Sequence, residues 1–338
     1  MEAKQFNHHQ TAHCENGVTV SLLKHHGFDK ITEPLAFGIG SGLFYIQIPF
    51  MKVNNGPAIS FRTMPGAIFK RTCKALGIKV EKKKFNSPEK AALYLEEKVA
   101  NNIPVGCQVG VFHLNYFPKE YRFHFNAHNL IVYGKNENSY LISDPVMETT
   151  TSLTAEELSK VRFAKGALAP KGHVYYPIHV GQISHETLKK AIIKGIKRNC
   201  RDMLNIPGSF AGVAGIQHTA KKIRKWRSQL GEKQAALYLG QIIRMQEEIG
   251  TGGGGFRFLY AAFLEEAAAI LDEKELLEVS EQLTNAGDLW RDSAVLMAGI
   301  FKGRLKTQQD FERCADLLDQ ISAVEKAAFT QLSKIKFK

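Results

Sequence analysis

Hydrophobic and polar residues follow two different patterns along this chain, and the change falls near residue 182. Before it, apolar runs such as PVGCQVGVFHL and HNLIVYG are separated by the turn signals GKNEN and SDP, the pattern of short strands. After it, segments beginning SHETLKK, GEKQAAL, FRFLYAA and DFERCAD place apolar residues at helical spacing. We therefore expect an α+β domain with an antiparallel sheet over residues 1–180, followed by an all-helical domain over residues 181–338.

Four helices are expected among the strands of the first domain. They lie over residues 14–26, over residues 66–76, and after Ser87, which precedes Pro88 and has the chemistry of an N-cap residue. The sequence TAEE at residues 154–157 has the spacing of a capping box and predicts the fourth, short helix.

The composition is that of an ordinary globular protein. Hydrophobic residues make up 44% of the chain, and no apolar stretch reaches the roughly 18 residues of a membrane span. The first ten residues lack the apolar core of a signal peptide, so we expect a cytoplasmic protein. The five cysteines are widely spaced without a CxxC pair, which favours reduced thiols over disulfides or a zinc site.

The net charge of +12 indicates an acidic partner. The densest cluster of cations is KKIRKWR at residues 221–227, but no helix-turn-helix, zinc finger or RNP-like motif accompanies it, so nucleic acid is not the expected ligand. Such a run is most often a solvated helix face. The functional alternative is a site for an acidic carrier protein or an anionic cofactor.

Cys14 is expected at the N-terminus of a helix, a position that favours a reactive thiolate. It precedes the segment ENGVTVSLLKHHG, in which Val18, Leu22 and Leu23 form an apolar stripe and Gly27 is a stop signal, so it begins a helix. The backbone N–H groups and the dipole at a helix N-terminus favour thiolate over thiol. Cys14 is thus a candidate nucleophile, although a lone cysteine is more often a small buried hydrophobe.

A thiolate nucleophile needs a base and a group that holds the base. His128 opens the run HNLIVYG, the loop KNEN turns the chain, and Asp144 ends the returning run YLISDP. In an antiparallel hairpin the two residues come nearly opposite each other, so Asp144 can orient the imidazole. Pairing Gly134 with Ser139 would place His128 opposite Pro145, so a bulge or slip is required. A DP pair after a strand is also commonly a plain turn.

The order Cys, His, Asp is the papain-like arrangement, and a family resemblance carries the same residues. HCENGVTVSLLKHHGFDKITEPLAFGIGSGLFY resembles the opening of the butirosin biosynthesis protein H N-terminal family, and HFNAHNLIVYG followed by YLISDP resembles its second motif. The resemblance covers about residues 13–180, and GTGGGGFRFLYAAFLEEAAAIL resembles the helical domain that commonly follows. It implies a papain-like cysteine peptidase-type domain with Cys14 as nucleophile, His128 as base and Asp144 as orienting group.

That family is a relative of papain-like peptidases that process bacteriocin leaders, and its named member transfers an acyl group from a carrier-protein thioester to an aminoglycoside amine. The resemblance implies an acyltransferase of secondary metabolism that needs no cofactor. Its donor would be linked to phosphopantetheine on an acidic acyl carrier protein, or to CoA, and its small-molecule acceptor would offer an amine or hydroxyl. A peptidase, amidase or thioesterase with the same triad is the alternative, and a nucleic-acid or scaffold protein is a third; a homo-oligomer stays open.

Further site residues follow from the same resemblance. Glu33 matches the acidic position of the family motif. Papain-like peptidases place an oxyanion-stabilising Gln several residues before the cysteine; here Gln10 lies four residues before it, while position 8 is a histidine. Gln10 and His8 are therefore candidate oxyanion donors beside the backbone N–H of Cys14.

Two glycine-rich segments could also contact substrate. Gly40, in FGIGSGLF, allows close backbone approach beside the thiol, with a tight turn between strands as the alternative. The loop GTGGGG precedes an amphipathic helix and could receive a pantetheine phosphate, with a flexible lid or hinge as the alternative. Arg257 and Tyr260 follow the loop as candidate polar groups of the active site. The stretch HHQTAH is expected to be irregular rather than a helix that would present its histidines on one face, and it lacks acidic companions, so no metal site is expected.

Overall fold

The computed structural model describes residues 6–53 and 56–337. The helices in this part of the chain are Cys14–His25 (α1), Glu33–Ile39 (α2), Ala67–Ala75 (α3), Pro88–Ala100 (α4), Ala155–Arg162 (α5), His185–Leu204 (α6), Gly212–Leu230 (α7), Glu232–Ile243 (α8), Arg257–Leu271 (α9), Glu275–Phe301 (α10) and Gln308–Lys334 (α11). The strands are Leu43–Val53 (β1), Gly56–Arg62 (β2), Lys79–Lys83 (β3), Val105–Val109 (β4), His128–Lys135 (β5), Ser139–Ser143 (β6), Thr151–Thr154 (β7) and Val174–His179 (β8).

Contacts between residues divide the described chain into two compact units. Unit 1 contains the residues up to Ala36 together with Ile68–His185, and unit 2 contains Phe37–Ala67 together with the residues from Glu186 onward. The hydrophobic pattern predicts a domain boundary near residue 180, and the last boundary between the two units lies close to it, between His185 and Glu186. The segment Phe37–Ala67 differs from the expectation, because it packs with the helices of unit 2 rather than with the first domain.

Unit 1 is built on a six-stranded sheet with the order β3-β8-β4-β5-β6-β7, in which each neighbouring pair is antiparallel. One face carries an apolar core with α4 and α5, to which Leu130 and Val132 of β5 contribute. Successive strand residues point to opposite faces, so Asn129 and Ile131 belong to the other face. There α1 packs on β4, β5 and β8. This confirms the predicted α+β organisation with an antiparallel sheet.

Local sequence signals account for the ends of several helices in unit 1. The helix predicted over residues 14–26 is α1, and the one predicted over residues 66–76 is α3. Ser87 caps α4 by accepting a hydrogen bond from the backbone N–H of Lys90 at 3.3 Å. Thr154 and Glu157 form the capping box that TAEE predicts. The starts of α4 and α5 are therefore encoded locally.

The described part of unit 2 is helical from Glu186 onward, as predicted. Helix α11 packs against α7 and α10, and α10 packs against α8 and α9. The hairpin of β1 and β2 rests on α7 and α8, where the Tyr45 hydroxyl donates to Thr219 Oγ1 at 2.7 Å. None of the helices among the described residues is long and apolar enough to cross a membrane.

Candidate active site

Cys14 is the first residue of α1, and only 7% of it is exposed. His13 is the N-cap residue in an extended conformation, and its Nδ1 accepts a hydrogen bond from the backbone N–H of Asn16 at 3.4 Å. His13 therefore caps the N-terminus of α1. The predicted helix start is confirmed, and the Cys14 sulfur lies where the first turn of a helix stabilises negative charge.

Glu33, the first residue of α2, fixes the chain segment that leads into α1. Its carboxylate accepts hydrogen bonds from the backbone N–H groups of Ala12 at 2.9 Å and His13 at 2.8 Å, and from the Asn16 amide at 3.4 Å. Burial raises the pKa of Glu33, and these hydrogen bonds oppose that rise. The Glu33 carboxylate thus holds the residues directly before Cys14, and a contact of Glu33 with substrate stays a prediction.

His128 and Asp144 form a buried pair in which His128 Nε2 lies 2.7 Å from Asp144 Oδ2. His128 opens β5 and Asp144 directly follows β6. The ladder between these strands pairs Ile131 with Ser143 and contains one register shift nearer the turn. The shift does not bring Asp144 opposite His128, because the same register continued beyond Ser143 places Asp144 opposite Leu130. Asp144 therefore lies one residue beyond the Ile131–Ser143 pair and reaches the imidazole diagonally.

The Asp144 carboxylate is fully buried and has two further hydrogen-bond donors. The Tyr116 hydroxyl donates to Oδ2 at 2.7 Å, and the backbone N–H of Val146 donates to Oδ1 at 3.3 Å. Burial, followed by the charge of Asp144 and this hydrogen bond, raises the pKa of Tyr116 well above its usual value. Tyr116 is therefore a permanent neutral donor that helps to hold the orienting carboxylate.

A close approach joins the segment after Asp144 to the segment before Cys14. The backbone N–H of Thr11 donates to the carbonyl of Pro145 at 2.7 Å. Gly17, in the first turns of α1, permits this approach, since a Cβ there would lie 2.3 Å from Cβ of Pro145. The small residue thus lets the aspartate segment pack directly on the helix of the nucleophile.

The environment of His128 favours its charged form. Burial lowers the pKa of His128, but the charge of Asp144, the charge of Cys14 and hydrogen bonds to both outweigh it and raise the pKa to about 10. Because Asp144 occupies Nε2, Nδ1 is the ring nitrogen left for the Cys14 sulfur. His128 is therefore protonated at neutral pH, as a thiolate–imidazolium pair requires.

Asn129, which the sequence reasoning missed, places an amide beside the nucleophile. Its Nδ2 lies 3.7 Å from Cys14 Sγ and also donates to the carbonyl of Ala127 at 3.0 Å. Its Oδ1 accepts a hydrogen bond from the Tyr175 hydroxyl at 2.8 Å. The available signal was a polar amide at the second position of the apolar run HNLIVYG, directly after the candidate base.

The two predicted oxyanion donors are placed differently. His8 engages both ring nitrogens, with Nδ1 at 2.8 Å from Ser143 Oγ and Nε2 at 3.0 Å from the carbonyl of Met147. His8 therefore stabilises the turn that follows β6. The prediction of an oxyanion role for His8 is corrected, because neither ring nitrogen is left to donate to substrate. Gln10 is exposed to solvent and lacks the water-excluded setting in which an oxyanion donor is effective.

The other predicted contacts belong to unit 2. Gly40 lies in the connection between α2 and β1, not in a turn between two strands. Arg257 is fully buried, and its guanidinium donates to both carboxylate oxygens of Glu325, at 2.8 and 2.9 Å, and to the carbonyl of Gly255 at 2.7 Å. Tyr260 is fully buried as well. Arg257 and Tyr260 are core residues of unit 2, and their role at the active site stays a prediction.

The remaining cysteines are buried thiols. Burial raises their pKa values to about 11 for Cys107 and to about 12 for Cys73, Cys200 and Cys314. Over residues 6–53 and 56–337, no group of three or more His, Cys, Asp and Glu side chains is arranged to hold a metal ion.

Comparison with protein families gives two matches. Residues 13–145 match the family model described as "Butirosin biosynthesis protein H, N-terminal", and residues 156–332 match "Domain of unknown function (DUF4872)". No curated protein matches the chain. Among solved structures, the chain is similar to a C39-like peptidase from Bacillus anthracis at 13% identity and a TM-score of 0.35, covering 53% of this chain and 96% of that one.

The first family match includes Cys14, His128 and Asp144, and confirms the resemblance seen in the sequence motifs. The second match spans more than half of the chain. This protein therefore belongs to the DUF4872 family and carries an N-terminal domain of the butirosin biosynthesis protein H type.

Proposed function

We propose that this protein is a cysteine-dependent acyltransferase. It would move an acyl group from a carrier-protein or CoA thioester, through an acyl-enzyme on Cys14, to an amine or hydroxyl acceptor in a biosynthetic pathway. The observation that carries the proposal is the buried contact between His128 and Asp144, with the charged imidazole beside a cysteine at a helix N-terminus. The family match over residues 13–145 supports the biosynthetic setting.

The reaction has two halves. In the first, the Cys14 thiolate attacks the thioester carbonyl carbon, a C–S bond forms, and the carbonyl π electrons move to oxygen. The tetrahedral intermediate collapses, the bond to the donor sulfur breaks, and His128 supplies the proton that the leaving thiolate takes up. His128 is then neutral.

In the second half, His128 acts as a base. It takes the proton from the amine or hydroxyl of the acceptor as that atom attacks the acyl-enzyme, and Cys14 leaves as a thiolate. Asp144 keeps the imidazole in the orientation that serves both halves, and its negative charge stabilises the imidazolium.

The charge of the protein supports an acidic carrier protein as the source of the acyl group. The net charge is +12. On unit 1, burial and then the charges of Lys70 and Lys84 lower the pKa of the exposed Lys82, so these lysines repel one another. An anionic partner would relieve that repulsion and raise the association rate. No cofactor is required, since the phosphopantetheine group belongs to the donor.

Intact-mass spectrometry tests the acyl-enzyme. The protein is incubated with acyl-CoA and with acyl carrier protein thioesters, and we expect one acyl adduct that is lost in Cys14→Ser. Cys73→Ser is the matched control, because Cys73 is a buried thiol of the same unit and its removal should leave the adduct in place. The absence of an adduct with every donor would contradict the proposal.

Release of the acyl group decides between transfer and hydrolysis. The trapped acyl-enzyme is mixed with water alone or with primary amines, and the products are separated by chromatography. Formation of the amide faster than the free acid supports a transferase. Free acid at the same rate with and without amine would identify a thioesterase or another hydrolase with the same triad.

The carrier contact is tested by charge reversal. Lys82→Glu should raise KM for an acyl carrier protein donor and leave KM for an acyl-CoA donor unchanged. Lys160→Glu is the control, because Lys160 is exposed on α5 but already pairs with Glu156 at 2.8 Å. Equal effects of both variants on both donors would remove the support that Lys82 gives to a carrier protein.

A further inference from the structure

The Asn129 side chain has a fixed orientation beside the Cys14 sulfur. Asn129 is 4% exposed, and the Tyr175 hydroxyl can donate only to its oxygen, so the amide nitrogen is turned toward Cys14. That nitrogen carries two hydrogens. One is accepted by the carbonyl of Ala127 at 3.0 Å, and the other is directed at Sγ, 3.7 Å from the nitrogen.

Tyr175 is held in turn by its own surroundings. It lies on β8 opposite Gly106 of β4, and a Cβ on Gly106 would come within 2.6 Å of its ring. The absence of a side chain at Gly106 therefore lets the ring cross β4 toward β5. Phe69 packs on the same ring with centroids 4.8 Å apart. The Tyr175 hydroxyl consequently reaches Asn129 from a rigid position.

From this geometry we propose that Asn129 donates a hydrogen bond to the oxyanion that forms when Cys14 attacks a carbonyl, with Tyr175 as its positioning residue. This inference rests on the proposed acyl chemistry of Cys14. It replaces the donors expected at His8 and Gln10, of which one is engaged with Ser143 and the other is exposed.

The step is chemically balanced. As the C–S bond to Cys14 forms, the carbonyl π electrons become a lone pair on oxygen, and the Asn129 N–H that faces the sulfur turns its bond to this new anion. The sulfur and the oxyanion are bonded to one carbon, so a donor 3.7 Å from the sulfur can reach the distance of about 2.7–3.1 Å at which oxyanion donors act. Collapse returns the electrons to the carbonyl and expels the leaving group, with no net change in Asn129.

Comparison of two reactions at the same sulfur tests the inference. Acylation by acetyl-CoA or p-nitrophenyl acetate passes through an oxyanion, whereas alkylation by iodoacetamide does not. In Asn129→Ala we expect the acylation rate to fall by about 10²–10³-fold, the usual effect of removing one oxyanion donor, while the alkylation rate stays near that of the wild type. The loss should appear in kcat rather than KM, because the oxyanion exists only in the transition state and intermediate.

Tyr175→Phe is the second variant, and it retains the ring that packs between its neighbours. We expect a smaller loss of acylation, again without loss of alkylation, because the amide is still present but no longer held. Tyr176→Phe is the matched control, since Tyr176 lies next in the same strand but contacts the Tyr94 hydroxyl at 3.0 Å instead. Its acylation rate should be that of the wild type.

Three results would overturn the inference. Equal loss of acylation and alkylation in Asn129→Ala would mean that the amide serves the resting thiolate. Wild-type acylation in both Asn129→Ala and Tyr175→Phe would mean that the donor lies elsewhere. Failure of the wild type to acylate with either reagent, with normal alkylation, would reject the acyl chemistry itself and not only the role of Asn129.

Discussion

Gly17→Ala tests how the site is assembled by adding a single methyl group to α1. Alanine is the better helix former by about 1 kcal/mol, so propensity alone predicts stabilisation. At Gly17, however, the new Cβ would lie 2.3 Å from Cβ of Pro145 and 2.1 Å from Oγ1 of Thr11. Ordinary contact begins at 3.4 Å, so Pro145 must retreat by about 1 Å.

Whether Gly17→Ala stabilises or destabilises the protein depends on the cost of overpacking and on the gain in helix propensity. Overpacking of this kind costs about 1–3 kcal/mol, which exceeds the gain from helix propensity, so we expect the free energy of unfolding to fall by about 1–2 kcal/mol. Asp144 precedes Pro145 and moves with it. A misplacement of about 1 Å can cost about 10²-fold in rate. We therefore expect the rate of Cys14 acylation to fall by about 10²-fold even where the variant remains folded.

Urea unfolding followed by circular dichroism measures the stability of Gly17→Ala, and mass spectrometry measures the rate of Cys14 acylation. Gly240→Ala is the matched control within α8. Its Cβ would meet the ring of Phe301 at 2.7 Å, but Phe301 is 47% exposed and can swing into solvent. We expect Gly240→Ala to be at least as stable as the wild type and fully active. Wild-type stability and rate in Gly17→Ala would refute the reasoning.

Further predictions concern the stability of each unit. Tyr116→Phe removes one hydrogen bond to the Asp144 carboxylate and should lower the free energy of unfolding by about 1.5–3 kcal/mol in urea titrations, whereas an unchanged midpoint would contradict this. Glu325→Gln leaves Arg257 buried beside a neutral partner and should cost about 3–5 kcal/mol. Tryptophan fluorescence reads this change, since both tryptophans lie in unit 2. The pKa of His128 is raised from 6.5 to about 10, so the native state keeps a proton that the unfolded chain loses. This stabilisation is complete below pH 6.5 and is lost as the pH rises to about 10. Unfolding across that range should therefore show a steeper loss for the wild type than for Asp144→Asn.

The positions of Cys14, His128 and Asp144 could be predicted because each residue lies where a local pattern begins or ends. Cys14 precedes an apolar stripe of helical spacing, His128 opens a strand-like run, and Asp144 closes the next run in a DP pair. Such boundaries depend on residues a few positions away. The structure accordingly places α1, β5 and the end of β6 where the sequence indicates them.

The packing of Phe37–Ala67 could not be predicted in the same way. Its position in the chain suggests the first domain, yet the Tyr45 hydroxyl bonds to Thr219, which lies 174 residues further on. Arg257 is a similar case. A cation after a glycine-rich loop suggests an anion site, but its partner is Glu325, 68 residues away. Long-range pairs of this kind leave no local periodicity in the sequence.

The polar groups around the Cys14 thiol could be identified from the sequence only in part. Family resemblance directed attention to Glu33 and Gln10, whereas the structure makes Glu33 an anchor of the segment before Cys14 and leaves Gln10 exposed. Asn129 was hidden because it lies in the apolar run HNLIVYG, where no local pattern marks its amide as a neighbour of the thiol. Only the packing of α1 on the sheet shows what the amide meets.

Burial by itself does not decide which cysteine of this chain can react. All five cysteines are buried, and burial raises the pKa of the other four by favouring their neutral thiols. Cys14 differs in its polar neighbours: the N-terminus of α1, the charged imidazole of His128 and the amide of Asn129. Each offers positive charge or an N–H donor; the helix N-terminus belongs to α1, whereas His128 and Asn129 are adjacent residues of β5. The polar setting of Cys14 is therefore a property of the tertiary fold of unit 1, because no single segment of the sequence supplies all three neighbours.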